Sequence, residues 1–295
     1  MIAHIGYHKT GTTFLQHNVF PNIEGINFYN VNIEKNSFFK EKICWSPTLE
    51  FDKVEVMKEL DISDNTLYSF ENFVGFMGKG TYNYEIAHRL KEIGFKKIIV
   101  AIRRQDKMME SLYRQHVQSG GTLKPNEYLK DVRYFRWSFL DYYPLIKLYI
   151  ELFGRENVLI LMQEELKESS ENVARKIVEF CGAEGLEMKP ANSQTNTSLS
   201  VLAIRLLRVI NHFTYSNLRP SNLISKSIST WKMRTLLKYL DPYSISLISF
   251  KKSFYSDSFQ NETLKKFEGS NKKIEKEFGV NISNYGYLEN DISSI

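Results

Sequence analysis

Short apolar runs alternate with longer amphipathic stretches along the chain up to Gly182. The apolar runs predict strands at residues 1–7, 25–29, 65–70, 97–102 and 158–162. Helical spacing predicts helices after residue 12, over 82–93, after Asp106, over 141–153 and over 169–181. Because strand and helix alternate, we predict a parallel sheet with helices on both faces. Residues 30–60 are polar and follow neither period, so we predict an irregular segment there.

The pattern changes at residue 188, where a polar loop leads into a predicted helix at 199–211. A charged surface helix is predicted over 262–278. We therefore predict a single domain over 1–295, with an α/β core in 1–187 and a helical, lid-like extension in 188–295. Residues 215–258 combine Lys and Arg with apolar side chains, and peripheral membrane contact is a second interpretation of that stretch.

Composition excludes several classes of protein. The chain has 295 residues, 42% hydrophobic and 25% charged, as is ordinary for a globular protein with a sizeable core. Its net charge of +5 suits an anionic ligand but does not indicate nucleic acid. Cys44 and Cys181 lie far apart without metal-ligand spacing, so we expect free thiols and no metal site. Without a signal-peptide pattern or a long apolar run, we expect a cytoplasmic protein, with membrane association left open.

A glycine loop follows the first predicted strand. Gly6 and Gly11 lie five residues apart, Lys9 lies between them, and Thr12 and Thr13 open the first helix. A strand, a glycine loop and a helix N-terminus together hold phosphate, because inward amides and the helix dipole favour an anion. The common triphosphate loop has its lysine directly after the second glycine, where this chain has Thr12. We predict a P-loop-like three-layer sandwich with a relocated lysine; a plain glycine turn is the alternative.

Charged side chains follow two other predicted strands. Glu71 follows the strand at 65–70, and Arg103 and Arg104 follow the strand at 97–102. Since ligand groups in open parallel sheets come from the carboxyl ends of strands, both groups are expected near the glycine loop. Ser111 lies eight residues after Arg103, so a guanidinium and a hydroxyl could converge on a second anion. A solvated arginine pair and an ordinary helix serine are the alternative.

Two motifs together resemble the sulfotransferase family, which uses 3′-phosphoadenosine 5′-phosphosulfate (PAPS). Gly6–Thr13 is similar to the family's 5′-phosphosulfate loop, and Arg103 with Ser111 is similar to its 3′-phosphate site. The resemblance extends over most of residues 1–182 and part of the C-terminus. Softer matches occur at Ser69–Phe73, Val158–Leu166 and Asn271–Tyr287.

The resemblance implies a donor site and no metal. The residues that it assigns to the 5′-phosphate and adenine side of PAPS are Lys9, Thr10, Gly11, Thr12, Thr13 and Phe14. Arg103 and Ser111 would hold the 3′-phosphate. The chain lacks the Arg-Lys-Gly triplet with which many members close over that phosphate, and Asn196 and Ser198 are expected to replace it in part.

The resemblance also implies the chemistry. It predicts in-line transfer of sulfonate to a hydroxyl or amine, with Lys9 stabilising charge on the leaving phosphate. Glu71 is the expected general base, and His8 is the rival. A glycan or glycolipid is the expected acceptor, and Arg104, Gln115 and His116 are candidates to face it. The alternatives are an ATP-dependent small-molecule kinase and a non-enzymatic anion binder. The oligomeric state is not predicted.

Overall fold

The structure is a computed structural model of the chain. It describes residues 1–34, 36–186, 199–216, 218, 229–241 and 253–288. By contact density the chain divides into two compact units. The first contains the described residues within 1–105, 138–192 and 264–295, and the second those within 106–137 and 193–263. The boundary at residue 187 and the single domain over 1–295 stay predictions.

Five parallel strands form the sheet of the first unit. Their order is β2-β3-β1-β4-β5. The strands are β1 (Ile2–His4), β2 (Asn27–Asn30), β3 (Thr66–Ser69), β4 (Lys97–Ile102) and β5 (Val158–Met162). Helices flank this sheet, so the predicted α/β architecture with a central parallel sheet is confirmed.

The strand order brings three strand ends together. β1 lies in the middle and pairs with β3 on one side and β4 on the other, with Ile2 opposite both Leu67 and Lys97. All three strands run in the same direction. The chain therefore leaves β1, β3 and β4 at one edge of the sheet, where the glycine loop, Glu71 and Arg103 follow them.

Helices and single turns connect the strands. The α-helices are α1 (Thr12–Phe14), α2 (Val31–Glu34), α3 (Asn36–Phe38), α4 (Lys53–Lys58), α5 (Asn83–Ile93), α6 (Gln105–Gln118), α7 (Pro125–Lys130), α8 (Tyr142–Phe153), α9 (Gln163–Glu168), α10 (Ser170–Cys181), α11 (Val201–Ile210), α12 (Thr230–Leu240) and α13 (Asp257–Phe278). The π-helical turns are Leu15–Val19 and Phe39–Cys44. The 3-10 helical turns are Phe20–Asn22, Thr48–Glu50, Glu71–Val74, Trp137–Leu140, Arg155–Asn157 and Ser283–Tyr285. None of the helices that the structure describes is long and apolar enough to cross a bilayer.

Helix ends follow the local sequence. The Ser169 side chain accepts a hydrogen bond from the amide of Asn172 and caps α10, and Gly182 ends that helix in the left-handed region. Ser200 caps α11 and Ser229 caps α12 in the same way. These caps satisfy backbone donors that a helix cannot pair internally.

The prediction of an irregular segment at 30–60 is wrong. This stretch forms α2, α3, α4 and the turn Phe39–Cys44. Phe39 and Ile43 are fully buried, and the Phe39 ring contacts the rings of Tyr68, Phe70 and Phe73. The helices are too short for a repeating apolar period, so tertiary packing stabilises them where the sequence shows no pattern.

The C-terminal part of the first unit is held by buried polar contacts. Asn271 on α13 is fully buried. Its side-chain oxygen accepts a hydrogen bond from Gln105 at 2.7 Å, and its amide donates to the carbonyl of Tyr287 at 2.9 Å. Arg155 donates to the carbonyls of Val158 and Phe278. The contacts of Asn271 join the C-terminal segment to the start of α6, just after β4, and those of Arg155 join α13 to the start of β5.

The second unit has its own buried polar contacts. Arg114 on α6 forms an ion pair with Glu110 at 2.7 Å and donates to the carbonyl of Leu199. Asn211 is buried and donates to the carbonyls of Val117 and Gly121. The start and end of α11 are thereby fastened to α6 and the loop after it.

We expect the substitution Asn271→Ala to lower the free energy of unfolding by about 3 kcal/mol. The change leaves the amide of Gln105 and the carbonyl of Tyr287 buried without their partner. Urea unfolding followed by circular dichroism measures the loss. Lys276→Ala, at an exposed position on the same helix, is the matched control. Equal stability of the two variants would contradict the assigned role of Asn271.

Candidate functional site

After β1 the chain stays hydrogen-bonded to β4 as far as Tyr7. The amides of Ile5 and Tyr7 donate to the carbonyls of Ile99 and Ala101 at 2.8 and 3.0 Å. A Cβ atom added at Gly6 would lie 2.6 Å from Nε2 of His4. Only glycine fits over that ring without a shift, because real Cβ contacts are not so short.

Gly11 makes the turn from the loop into α1. Its φ of +90° lies in the left-handed region, and a Cβ there would meet Leu166 on α9 at 2.6 Å. The amides of Phe14 and Leu15 donate back to the Gly11 carbonyl. The amides that precede this pair, those of Thr12 and Thr13, lie at the helix N-terminus, where an anion is favoured.

Of the other loop residues, some are buried and support the loop, and others are exposed. Thr10 is buried, and its hydroxyl donates to the carbonyl of Tyr7 at 2.6 Å. Thr12 is also buried, and its hydroxyl lies 3.5 Å from that of Thr10. The side chain of Thr13 is exposed. Phe14 packs partly against the core of the first unit.

Lys9 adopts an uncommon backbone conformation. Its φ of +71° lies in the left-handed region, which residues other than glycine rarely occupy. Such a conformation is unfavourable by itself and persists where the surroundings impose it, often at functional sites. The loop therefore holds Lys9 in a defined position.

Arg103 connects the end of β4 to the loop. Its Nη1 donates to the carbonyl of Lys9 at 3.1 Å, and its own carbonyl accepts from the hydroxyl of Tyr142 at 2.6 Å. Tyr142 is fully buried and packs edge-on against the ring of Tyr7 at 4.8 Å. The predicted approach of Arg103 to the loop is thus realised by a direct contact. No local pattern in the sequence indicates Tyr142 as its support, since the contact spans 39 residues.

The main chain of Arg104 is held by Glu164, which follows β5. Its amide donates to Glu164 at 3.1 Å, and that carboxylate also accepts from the hydroxyl of Tyr287 at 2.9 Å. One Arg104 nitrogen lies 2.9 Å from the position of a Cβ at Gly286. Its surroundings include the C-terminal segment, and a role toward an acceptor stays a prediction.

The two candidate bases meet at one turn. His8 is buried, and its Nε2 lies 3.3 Å from the side-chain oxygen of Asn72, which follows Glu71 in the turn after β3. Burial lowers the pKa of His8, against the opposing influence of Glu71 and Asn72. The imidazole is therefore neutral at pH 7. Its Nδ1 has no hydrogen-bond partner among the described residues.

A second histidine lies beneath the loop. His4 is fully buried, its Nδ1 lies 2.7 Å from the hydroxyl of Ser69, and Gln16 donates to the same hydroxyl at 2.9 Å. Burial lowers the pKa of His4 to about 3. This neutral cluster joins β1, β3 and the turn Leu15–Val19 under the glycine loop. No local pattern in the sequence indicates it, because its members lie 53 and 65 residues from Ser69.

The other predicted residues are distributed differently. Ser111, Gln115 and His116 lie on α6 in the second unit. Gln115 donates to Ser119 at 3.0 Å, and the buried His116 packs between the rings of Tyr128 and Tyr134. Burial lowers the pKa of His116 to about 4. Asn196 and Ser198 lie outside the described residues. No group of three or more His, Cys, Asp or Glu side chains that could hold a metal ion occurs in the described ranges.

A family model described as "Sulfotransferase domain" matches residues 2–234. The chain belongs to the sulfotransferase family. The matched region includes the glycine loop, the turn with Glu71 and the Arg103 strand end, so the resemblance found in the sequence is confirmed.

Three distant proteins are similar to this sulfotransferase-family chain. An uncharacterised protein of Archaeoglobus fulgidus is 27% identical over 189 residues, which are 63% of this chain and 46% of that protein. The chain thus spans about half the length of this curated relative. A sulfotransferase structure from Alicyclobacillus acidocaldarius has 19% identity and a TM-score of 0.47, covering 64% of this chain and 86% of that one. A mouse sulfotransferase complexed with PAP has 16% identity and a TM-score of 0.39, covering 63% and 59%.

The buried His4 predicts a loss of stability in acid. Its folded pKa of about 3 lies below the ordinary 6.5, so the unfolded chain binds the extra proton and stability falls as pH drops below 6.5. Between pH 6.5 and about pH 5 the loss attributable to His4 is about 2 kcal/mol. Urea unfolding at both pH values measures it. The variant His4→Gln is expected to show a smaller difference between the two pH values, and an unchanged difference would contradict the assignment.

Proposed function

We propose that the protein transfers the sulfonate group of PAPS to a hydroxyl or amine of a carbohydrate or glycolipid. Family membership supports sulfonate transfer, and the contact between Arg103 and the Lys9 carbonyl carries the proposal. That contact brings a guanidinium to a glycine loop at a helix N-terminus. Such a pair of features suits a ligand with two separate anionic groups, as in a nucleotide with both 3′- and 5′-phosphates.

The chain's own groups fit the donor. The amides from Lys9 to Thr13 and the N-terminus of α1 would hold the 5′-phosphate, with Phe14 on the adenine side. Arg103 and Ser111 would hold the 3′-phosphate, with Asn196 and Ser198 replacing in part the triplet that the chain lacks. Tyr142 positions Arg103 through its carbonyl, so the guanidinium is oriented before a ligand arrives. When bound, PAPS supplies the activated sulfonate.

Lys9 acts as the electrostatic catalyst. Its left-handed backbone is held in a loop that two glycines and the Arg103 contact define. An ammonium fixed there stabilises negative charge that develops on the leaving phosphate. The reaction then proceeds by in-line displacement, and the proposal requires no metal.

Glu71 is the proposed general base. It lies half-buried at the start of the turn after β3, beside the Asn72 side chain that meets His8. A carboxylate at that point takes the proton from the acceptor as the sulfonate moves. His8 is the second candidate, since its neutral ring can also accept a proton. Its burial favours a positioning role instead.

A peripheral membrane contact is a further proposal for 215–258, of which the structure describes a part. On α12 the side chain of Trp231 is 64% exposed and that of Leu236 is 49% exposed. Lys232 and Lys238 lie on the same helix. Exposed apolar groups beside lysines suit a membrane surface that carries a glycolipid acceptor.

We propose a cytoplasmic location for the protein.

Binding of 3′,5′-adenosine bisphosphate tests the donor assignment. Without magnesium, calorimetry is expected to show tighter binding of the bisphosphate than of AMP or ATP. Ser111→Ala is expected to reduce that preference without changing AMP binding. Arg103→Ala is expected to weaken both, since it also releases the Lys9 carbonyl.

The control is Lys58→Ala, an exposed position on α4. Equal affinity for the bisphosphate and AMP would contradict the PAPS proposal. Magnesium-dependent binding of ATP alone would favour the kinase, which needs the metal for phosphoryl transfer.

The two candidate bases are separated by kinetics. Glu71→Gln is expected to lower kcat by about 100-fold or more, with bisphosphate affinity unchanged, because it removes the proton acceptor. His8→Gln keeps a hydrogen-bonding group near Asn72 and is expected to lower kcat less. The reverse order of effects would assign the base to His8.

A further inference from the structure

Three aromatic side chains form a continuous row in the first unit. The rings of Trp45 and Phe76 stack at 5.0 Å with an interplanar angle of 9°, and Tyr82 lies 6.2 Å from Phe76. Trp45 is 38% exposed and Tyr82 is 44% exposed. We call Trp45, Phe76 and Tyr82 the aromatic platform. Large aromatic groups exposed side by side mark a binding surface more often than single ones do.

Two lysines flank the platform. Nζ of Lys40 lies 5.6 Å from the centre of the Trp45 ring, and Nζ of Lys79 lies 5.1 Å from that of Phe76. Within the described ranges, neither ammonium forms an ion pair. The platform therefore combines exposed aromatic surface with positive charge.

A buried arginine holds the main chain around Trp45. Arg89 on α5 is 4% exposed and donates to the carbonyls of Ile43 and Ser46, both at 2.7 Å. The two carbonyls lie on either side of Trp45 in the chain. A buried guanidinium with two main-chain partners fixes this segment, so the exposed Trp45 is presented from a rigid base.

The other side of the platform has a constrained backbone. Tyr82 has a φ of +68°, which makes it, with Lys9, one of the two residues other than glycine with positive φ in the described chain. Gly75 has a φ of +85°, and a Cβ there would lie 2.4 Å from the carbonyl oxygen of Thr81. The loop from Gly75 to Thr81 thus closes tightly and forces Tyr82 outward. A left-handed tyrosine is unfavourable and is typical of functional segments.

The platform is connected to the turn that carries the candidate base. Sγ of Cys44, the neighbour of Trp45, lies 3.7 Å from the carbonyl of Asn72 and donates to it. The Asn72 side chain meets His8, and Glu71 is the preceding residue. Phe76 follows the same turn in the chain. Trp45 at one end of the row and Phe76 in its middle are therefore both connected to the turn that carries the group proposed to deprotonate the acceptor.

We propose that the aromatic platform with Lys40 and Lys79 is an acceptor subsite for a sugar ring that carries a carboxylate or a sulfate. The C–H face of a pyranose ring packs on the exposed parts of Trp45 and Tyr82, and the two ammonium groups pair with the anion. The charge favours an acidic sugar over a neutral one. The proposal rests on the proposed function, because it names the acceptor class of the site that contains Glu71.

Binding of two tetrasaccharides tests the subsite without PAPS. One alternates glucuronate with N-acetylglucosamine, and the other contains N-acetylglucosamine alone. Calorimetry is expected to show binding of the acidic tetrasaccharide and at least severalfold weaker binding of the neutral one. Trp45→Ala and Lys79→Ala are each expected to weaken acidic-sugar binding about tenfold, as for a central binding residue. Trp45→Phe is expected to restore most of the affinity.

The matched controls are Phe213→Ala and Lys58→Ala, which change exposed residues outside the platform. Bisphosphate affinity, measured on every variant, reports separately on the proposed donor site and shows that the variants fold. If the protein binds the acidic sugar but not the bisphosphate, the proposed function is overturned and the sugar result still tests the subsite. Acidic-sugar binding that is absent, or insensitive to Trp45→Ala and Lys79→Ala, would overturn the subsite. Loss of binding to phosphatidylserine vesicles in Trp45→Ala, without a sugar effect, would assign the platform to a membrane instead.

Discussion

The hydrogen bond from Arg103 to the carbonyl of Lys9 organises the candidate site. It joins the end of β4 to the glycine loop that follows β1, and it exists because these two strands are parallel neighbours. The carbonyl of Arg103 is in turn held by the buried hydroxyl of Tyr142. A cationic group and a ring of amides are thereby set in place by the fold itself. Electrostatic sites of this kind work because little reorganisation is needed when an anion binds.

Two uncharged histidines lie near the positively charged Lys9 and Arg103. His4 and His8 are both buried, and burial lowers the pKa of each, so neither adds a proton near neutral pH. A charged histidine in these places would repel Lys9 and Arg103. The structure therefore concentrates its positive charge on lysine and arginine, and uses histidine as a hydrogen-bonding and packing group.

The sequence predicted those features whose cause is local. β4 and β5 were found at their observed bounds, and the cap at Ser169 and the loop between Gly6 and Gly11 follow directly from neighbouring residues. The PAPS contacts, the base and the acceptor stay predictions, since no ligand contact is part of the structure.

Features that depend on distant partners were not predictable in the same way. The His4 cluster, the Tyr142 contact and the fully buried Phe39 each depend on residues brought together by the sheet. The segment at 30–60 was misjudged for this reason, because its short helices carry no period that a single sequence reveals.

The tether of Tyr287 to Glu164 has a consequence for biosynthesis. Glu164 gains the hydroxyl of Tyr287, and Asn271 the carbonyl that it binds, only after residue 287 has left the exit tunnel. A nascent chain that carries all five strands of the described sheet still lacks these two contacts. Because domains fold as units during synthesis, this unit completes its packing only when that segment has emerged. Loss of the segment is therefore felt far back in the chain, at the residues that follow β4.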